Sequence, residues 1–131
     1  MDPIQTVGGA EGLSKLAGLV RAEGAPVDGV YLINRQSDEG ADDWVVVLVT
    51  SVSARDVFFR LAHLRNQGKF SQFKGVRIDP VKPDDKEVVR IMNYARRFDS
   101  LPVEVEGVLL DRMYIRYALV AELPKAGAVA A

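Results

Sequence analysis

A chain of 131 residues with 48% hydrophobic and 27% charged residues is sized for one soluble domain with a substantial core. It contains no cysteine, which excludes a disulfide framework, a Cys-bearing zinc site and thiol chemistry. The formal net charge of −1 conceals a regional sorting. Residues 1–50 carry three Lys/Arg against eight Asp/Glu, residues 51–100 eleven against six, and residues 101–131 three against four. The basic segment is interleaved with Phe58, Phe59, Phe70, Phe73, Tyr94 and Phe98. Cations beside aromatic rings are what a polyanion, above all a single-stranded nucleic acid, requires of a protein surface.

No apolar run approaches a membrane span; the longest is Trp44–Val49. Met1–Asp2–Pro3 lacks a basic region followed by an apolar core, so no secretory signal is expected and the cytoplasm is the expected location. The chain reads as a single domain over 1–131, with a helix over 8–23, an α/β core over 27–123 and a disordered tail over 124–131.

In chain order, Leu13, Leu16, Leu19 and Val20 have helical spacing, and Gly12 and Gly18 make that first helix dependent on docking. Gly24–Ala25–Pro26 stops it. Val27–Asn34 reads as a strand, Arg35–Asp43 as a polar acidic connection, and Trp44–Ser51 as a β-branched strand buried at the centre of a sheet. Ser53 then caps a helix whose apolar face is Ala54, Val57, Phe58, Leu61 and Leu64, closed by Gly68. In Lys69–Arg77, Phe70 and Phe73 read as a loop folding back on the core beside Lys69, Lys74 and Arg77. Val76–Ile78 is a short strand ended by Pro80. Asp84 as N-cap with Glu87 three residues on has the capping-box pattern, opening a helix with apolar positions Val88, Ile91, Met92, Ala95 and Phe98. Two strands close the chain, Val103–Leu110 and Met113–Leu123, as a hairpin tipped by Asp111–Arg112 with one wet face. Val108 and Tyr114, placed on that face beside Glu104, Glu106 and Arg116, suit a homodimer contact.

Catalysis has little footing. His63 is the sole histidine, and no Walker loop, G-x-G-x-x-G or G-x-S-x-G is present. The Asp84–Asp85 pair is explained by helix capping. The acidic loop Asp38, Glu39, Asp42, Asp43 lacks the spacing of a calcium loop and reads as a solvated turn. Neither a metal nor a cofactor is expected.

The polar helix faces carry more. Arg55, Phe59 and His63 fall at i, i+4 and i+8 with Arg60 flanking, which sets a ring between groups able to meet phosphate. Lys86, Arg90, Asn93 and Arg97 form a stripe with no acid in it, whereas a solvated helix face ordinarily mixes signs. A crossover connection could bring both stripes to one face of the sheet.

From Trp44 to Leu123 the order β-α-β-α-β-β with a long terminal hairpin resembles the Alba-like chromatin and RNA-binding proteins. The initiation-factor-3 C-terminal-like folds share that topology. The β-branched first strand, the helix ending at Arg65–Asn66–Gln67–Gly68 and the helix ending at Arg96–Arg97–Phe98 carry the likeness over 80 of the 131 residues. Two stretches depart from it. Thr50–Ser51–Val52–Ser53 stands where the family has a basic pair, and Asp79–Pro80–Val81–Lys82–Pro83–Asp84–Asp85 replaces its Gly- and basic-rich loop.

The expected fold class is therefore α/β, of the two-layer α+β kind: a mixed sheet with a β-α-β-α-β-β core, extended by an N-terminal helix and a strand pairing with the Trp44 strand. The expected function is a small non-enzymatic nucleic-acid-binding or regulatory protein. It would contact phosphates through Arg55, Phe59, Arg60, His63, Lys86, Arg90, Arg97 and Arg112, with little sequence preference. The near-neutral total charge favours the alternative, a protein-binding adaptor or inhibitor docking its basic face on a larger assembly.

Overall fold

The structure is a computed structural model that describes residues 2–36, 40–69, 73 and 75–123. The expectations for Asp38, Glu39, Phe70, Lys74 and the tail 124–131 lie outside the described residues.

The chain begins with two helices where the spacing indicates one. Helix α1, Pro3–Val7, starts on a proline and is capped by Asp2, whose Oδ1 accepts from the Ile4 N–H at 3.0 Å. Gly8, with φ of 82°, turns the chain into α2, Gly9–Ala22. Gly12 is explained by close approach: a Cβ there would stand 1.7 Å from the Val7 carbonyl oxygen. The helix thus trades propensity for contact with α1.

Strand β1, Gly29–Asn34, is buried along its whole length and pairs antiparallel with β2, Trp44–Val49, from Gly29 opposite Val49 to Asn34 opposite Trp44. Helix α3, Ala54–Asn66, is capped by the Ser53 hydroxyl, which accepts from the Asp56 N–H. It leads to β3, Arg77–Val81, parallel to β2. Pro80 does not end this strand. It lies within it opposite Leu48, tolerated because β3 is an edge strand. Helix α4, Lys86–Ala95, precedes the hairpin of β4, Val103–Leu110, and β5, Met113–Glu122. The sheet order is β3-β2-β1-β5-β4, with β1 antiparallel to both its neighbours. This is the expected α+β class with a mixed sheet, the N-terminal strand pairing with the Trp44 strand as the sequence indicates.

The sheet alternation feeds two cores. On one side Val30, Leu32, Val46 and Leu48 pack under α2 (Leu13, Leu16, Ala17, Val20) and α3 (Val57, Leu61, Leu64). On the other, Tyr31, Ile33, Val45, Val47 and Val49 pack under α4 (Val88, Ile91, Met92, Ala95). The helices α1–α3 and the sheet hold the larger core, and α4 lies by itself over the opposite face. Val46 and Leu48 have no exposed surface, so β2 is an interior strand as expected, although the geometric middle falls on β1.

Three apolar positions leave the expected pattern. Ala54 and Phe58 are exposed, because only Val57, Leu61 and Leu64 of α3 reach the sheet. Phe98 is half-exposed, because α4 ends at Ala95 and the chain turns away there. Phe73 packs against the α1–α3 core, as its loop was expected to do.

The hairpin also differs from simple alternation. Val103 and Val105 share the α4-side core with Val108 and Leu110, so β4 changes face between Val105 and Val108. Gly107, with φ of 64°, sits at the change. Val108 therefore packs inward instead of lining the wet face, while Leu109 and Tyr114 remain exposed there. β5 switches likewise: Ile115 belongs to the α4-side core, and Tyr117 and Leu119 pack on the other side. Among the described residues, no helix is long and apolar enough to cross a membrane.

Candidate functional site

Helix α4 is held at its start by a polar clamp. Its N-cap is Asp85, whose side chain accepts from the Glu87 N–H at 2.9 Å, one residue later than the capping-box pattern indicates. Glu87 is thereby free of capping and turns inward. It accepts from Arg35 Nε at 3.0 Å, from Arg35 Nη2 at 2.9 Å and from the Tyr31 hydroxyl at 2.7 Å. Arg35 Nη1 also donates to Asp79 at 3.0 Å, so one guanidinium ties α4 to the end of β1 and the middle of β3. Burial pushes the Tyr31 phenol far above its usual range, and the neighbouring Glu87 carboxylate adds to the rise. For Arg35, burial acts downward, but the hydrogen bonds to Glu87 and Asp79 outweigh it and the guanidinium is raised.

With its inner face fixed in the core, α4 turns Lys86, Arg90 and Asn93 outward, and Arg97 follows two residues past its end. All four line one cleft of about 440 Å³, formed between α4 and the end of the β4–β5 hairpin. Its apolar wall is Val89, Tyr94 and Leu110, and Asp84 and Asp111 bring carboxylates into it. Arg90 is not fully exposed, as its place on the polar stripe suggests, but three-quarters buried and paired to Asp111 at 3.3 Å. The Arg97 guanidinium lies 5.7 Å from the centre of the Tyr94 ring, and Tyr94 meets Phe98 at 5.5 Å in a tilted stack. Arg112 follows Asp111 at the tip, both with positive φ (45° and 69°), as in the type I′ turns that suit hairpins.

The α3 stripe is arranged differently. Arg60 donates to Asp56 at 3.1 Å and to the backbone carbonyl of Glu23, and His63 Nδ1 meets the Glu23 carboxylate at 2.5 Å. Phe59, 75% exposed, lines a pocket of about 400 Å³ with these groups. Arg55 is exposed and makes no ion pair among the described residues. Two carboxylates are thus set among the cations of α3. The sheet separates the two helices, so their stripes do not join into one surface.

The structure accordingly brings Lys86, Arg90 and Arg97 together, groups Phe59, Arg60 and His63 elsewhere, and leaves Arg55 and Arg112 outside both linings. Tyr94 and Phe98, counted among the aromatics of the basic segment, were not singled out as site residues, and Phe98 was expected in the core. Their i, i+4 spacing beside Arg97 was the available signal. In the acidic loop, Asp42 accepts from Asn34 Nδ2 at 3.2 Å and pairs with Arg116, and Asp43 pairs with Arg77. Among the described residues, no three His, Asp or Glu side chains gather as a metal-holding group. Compared with known proteins, the chain matches no family model, and no curated protein or solved structure is significantly similar to it.

Proposed function

We propose that the protein binds single-stranded nucleic acid through the outer face of α4, as a non-enzymatic binding or regulatory protein. The observation that carries this reading is the convergence of Lys86, Arg90 and Arg97 on one cleft whose wall includes the Tyr94 ring. Cations fix the phosphates, and an aromatic face accepts a base whatever its identity. The reading narrows the surface: α3 contributes little, because Glu23 and Asp56 already engage His63 and Arg60. The Arg35–Glu87 clamp supports it by holding α4 in a fixed pose, which lowers the ordering cost of binding. Fluorescence anisotropy with a labelled oligonucleotide at several salt concentrations tests it. Three phosphate contacts give a log–log slope of about −2 on a single strand. A salt-insensitive or absent interaction overturns it.

A second reading rests on a specific observation. Leu109 and Tyr114 are 67% and 62% exposed as cross-strand neighbours on the wet face of the hairpin, the face turned away from α4. An exposed apolar pair on the hairpin whose tip also enters the cationic cleft suits an acidic protein partner that wraps the hairpin end. Capture of such a partner that is lost on Arg97→Glu, with no nucleic-acid binding at physiological salt, would select it.

A further inference from the structure

Phosphate binding accounts for Lys86, Arg90 and Arg97 but not for the carboxylates that share their cleft. A surface built only to follow a phosphate backbone gains nothing from Asp84 and Asp111, which repel it. Asp84 is not committed to capping, since Asp85 performs that role. Asp111 stands on a hairpin tip at φ of 45° with its carboxylate on Arg90. Arg90 and Tyr94 are one helical turn apart on α4, and Asp111 and Tyr94 line the same cleft.

The cleft therefore offers three chemistries: cations, an aromatic and aliphatic wall, and a carboxylate acceptor that lines it from the hairpin tip. At about 440 Å³ it lies in the ordinary range of small-ligand pockets, and it is an open groove, not an enclosed cavity. A nucleoside phosphate presents the matching three parts. Its phosphate meets Arg90 and Arg97, its base lies on Tyr94 and Leu110, and its sugar hydroxyls are donors for a carboxylate. Carboxylate acceptors for ribose hydroxyls are an established solution to sugar recognition in nucleotide sites, and the 2′-hydroxyl is what separates RNA from DNA at a protein surface.

We infer that the α4 cleft takes one ribonucleotide unit, with Asp111 accepting from its ribose hydroxyls, so that the site prefers RNA to DNA. This rests on the phosphate-binding reading above and adds to it the identity of the sugar. The test uses labelled hexamers of uridine and of 2′-deoxyuridine, which differ only in the 2′-hydroxyl, at low salt on the full chain. The uridine hexamer should bind about tenfold tighter, the worth of one good hydrogen bond. Asp111→Gly, which removes the acceptor, should bring the two hexamers to within twofold of each other. Glycine adopts the left-handed backbone of this position freely, and circular dichroism and melting matching the unaltered protein show that the fold is kept. Competition by uridine monophosphate at millimolar concentration assigns the unit to a free nucleotide. Its failure, with the uridine hexamer bound and preferred, assigns the unit to a strand. Equal binding of the two hexamers by the unaltered protein, or an unchanged preference in Asp111→Gly, overturns the sugar contact while leaving phosphate binding in place. Binding of neither hexamer overturns both.

Discussion

Helices α3 and α4 look alike in sequence and differ in what surrounds them. Each buries a triad or tetrad of apolar residues and turns Lys/Arg outward: Val57, Leu61 and Leu64 beneath α3, and Val88, Ile91, Met92 and Ala95 beneath α4. Their outer faces diverge through residues supplied from far along the chain. Glu23, at the C-terminus of α2, reaches His63 across 40 positions and turns the α3 face into a clasp between helices. On α4 the hairpin tip contributes Asp111, which engages only Arg90, while Arg97 rests on Tyr94. A cationic stripe is thus half of a description. Whether it is a binding face or a packing contact is decided by which carboxylates the tertiary fold delivers to it.

The sharpest form of the comparison is that the two helices should behave alike underneath and unlike on top. Leu64→Ala and Met92→Ala each empty a fully buried site and should cost about 2–5 kcal/mol in a denaturant titration. A loss well below that range at Met92 alone would mean that α4 sits loosely and that its cleft is not preformed. On the outside, Lys86→Glu combined with Arg97→Glu changes two exposed residues of the α4 cleft and should weaken single-strand binding on the order of 100-fold. Arg55→Glu on α3 should change it less than about threefold, since one distant rim charge is worth little. Comparable losses from both would erase the distinction. Arg90 is unsuited to this test: with only a quarter of its side chain exposed and Asp111 against it, a glutamate there would disturb the hairpin.

The rings offer a parallel contrast of smaller size. Tyr94→Ala should weaken binding of a single strand by about 1–3 kcal/mol through lost stacking, and duplex far less. Phe59→Ala, although it removes the most exposed large apolar side chain among the described residues, should leave binding nearly unchanged, because its neighbours are already neutralised. The reverse ranking in anisotropy titrations would move the interface to α3.

Much of the fold was legible because it follows local periodicity. The continuous apolar run of β2, the Ser53 cap and the 88, 91, 92, 95 spacing of α4 all appear as read. What escaped depends on events that period cannot show. Helix α1 is only five residues long and is recognisable by Asp2 and Pro3, not by an apolar stripe. Pro80 stays in a strand because β3 is at an edge, a fact of sheet order. The face change at Gly107 needs a left-handed residue, which glycine permits but does not announce. At the site, the α4 stripe of Lys86, Arg90, Asn93 and Arg97 was legible from helical spacing. The cleft was not, because Leu110 and Asp111 enter it from a hairpin whose position is set by the whole sheet. The same holds for the masking of α3 by Glu23.

That masking gives the smallest expected effect and the most direct test of the comparison. Glu23→Gln keeps the shape of the side chain but removes the negative charge facing His63, while the backbone carbonyl that accepts from Arg60 is unaffected. If the carboxylate is what silences the α3 surface, the variant gains a weak second site around Arg55, Phe59 and His63. Single-strand affinity at low salt should then rise by about twofold to threefold, a few tenths of a kcal/mol, in keeping with the small worth of exposed charge pairs. The gain should fade as salt rises toward physiological levels. It should be reversed by Phe59→Ala in the Glu23→Gln background and not by Tyr94→Ala, because the first ring belongs to the uncovered surface and the second to the original cleft. A titration in which Glu23→Gln leaves affinity flat at every salt concentration would mean that α3 is silent for reasons other than charge. The likeness of the two helices would then end at their inner faces.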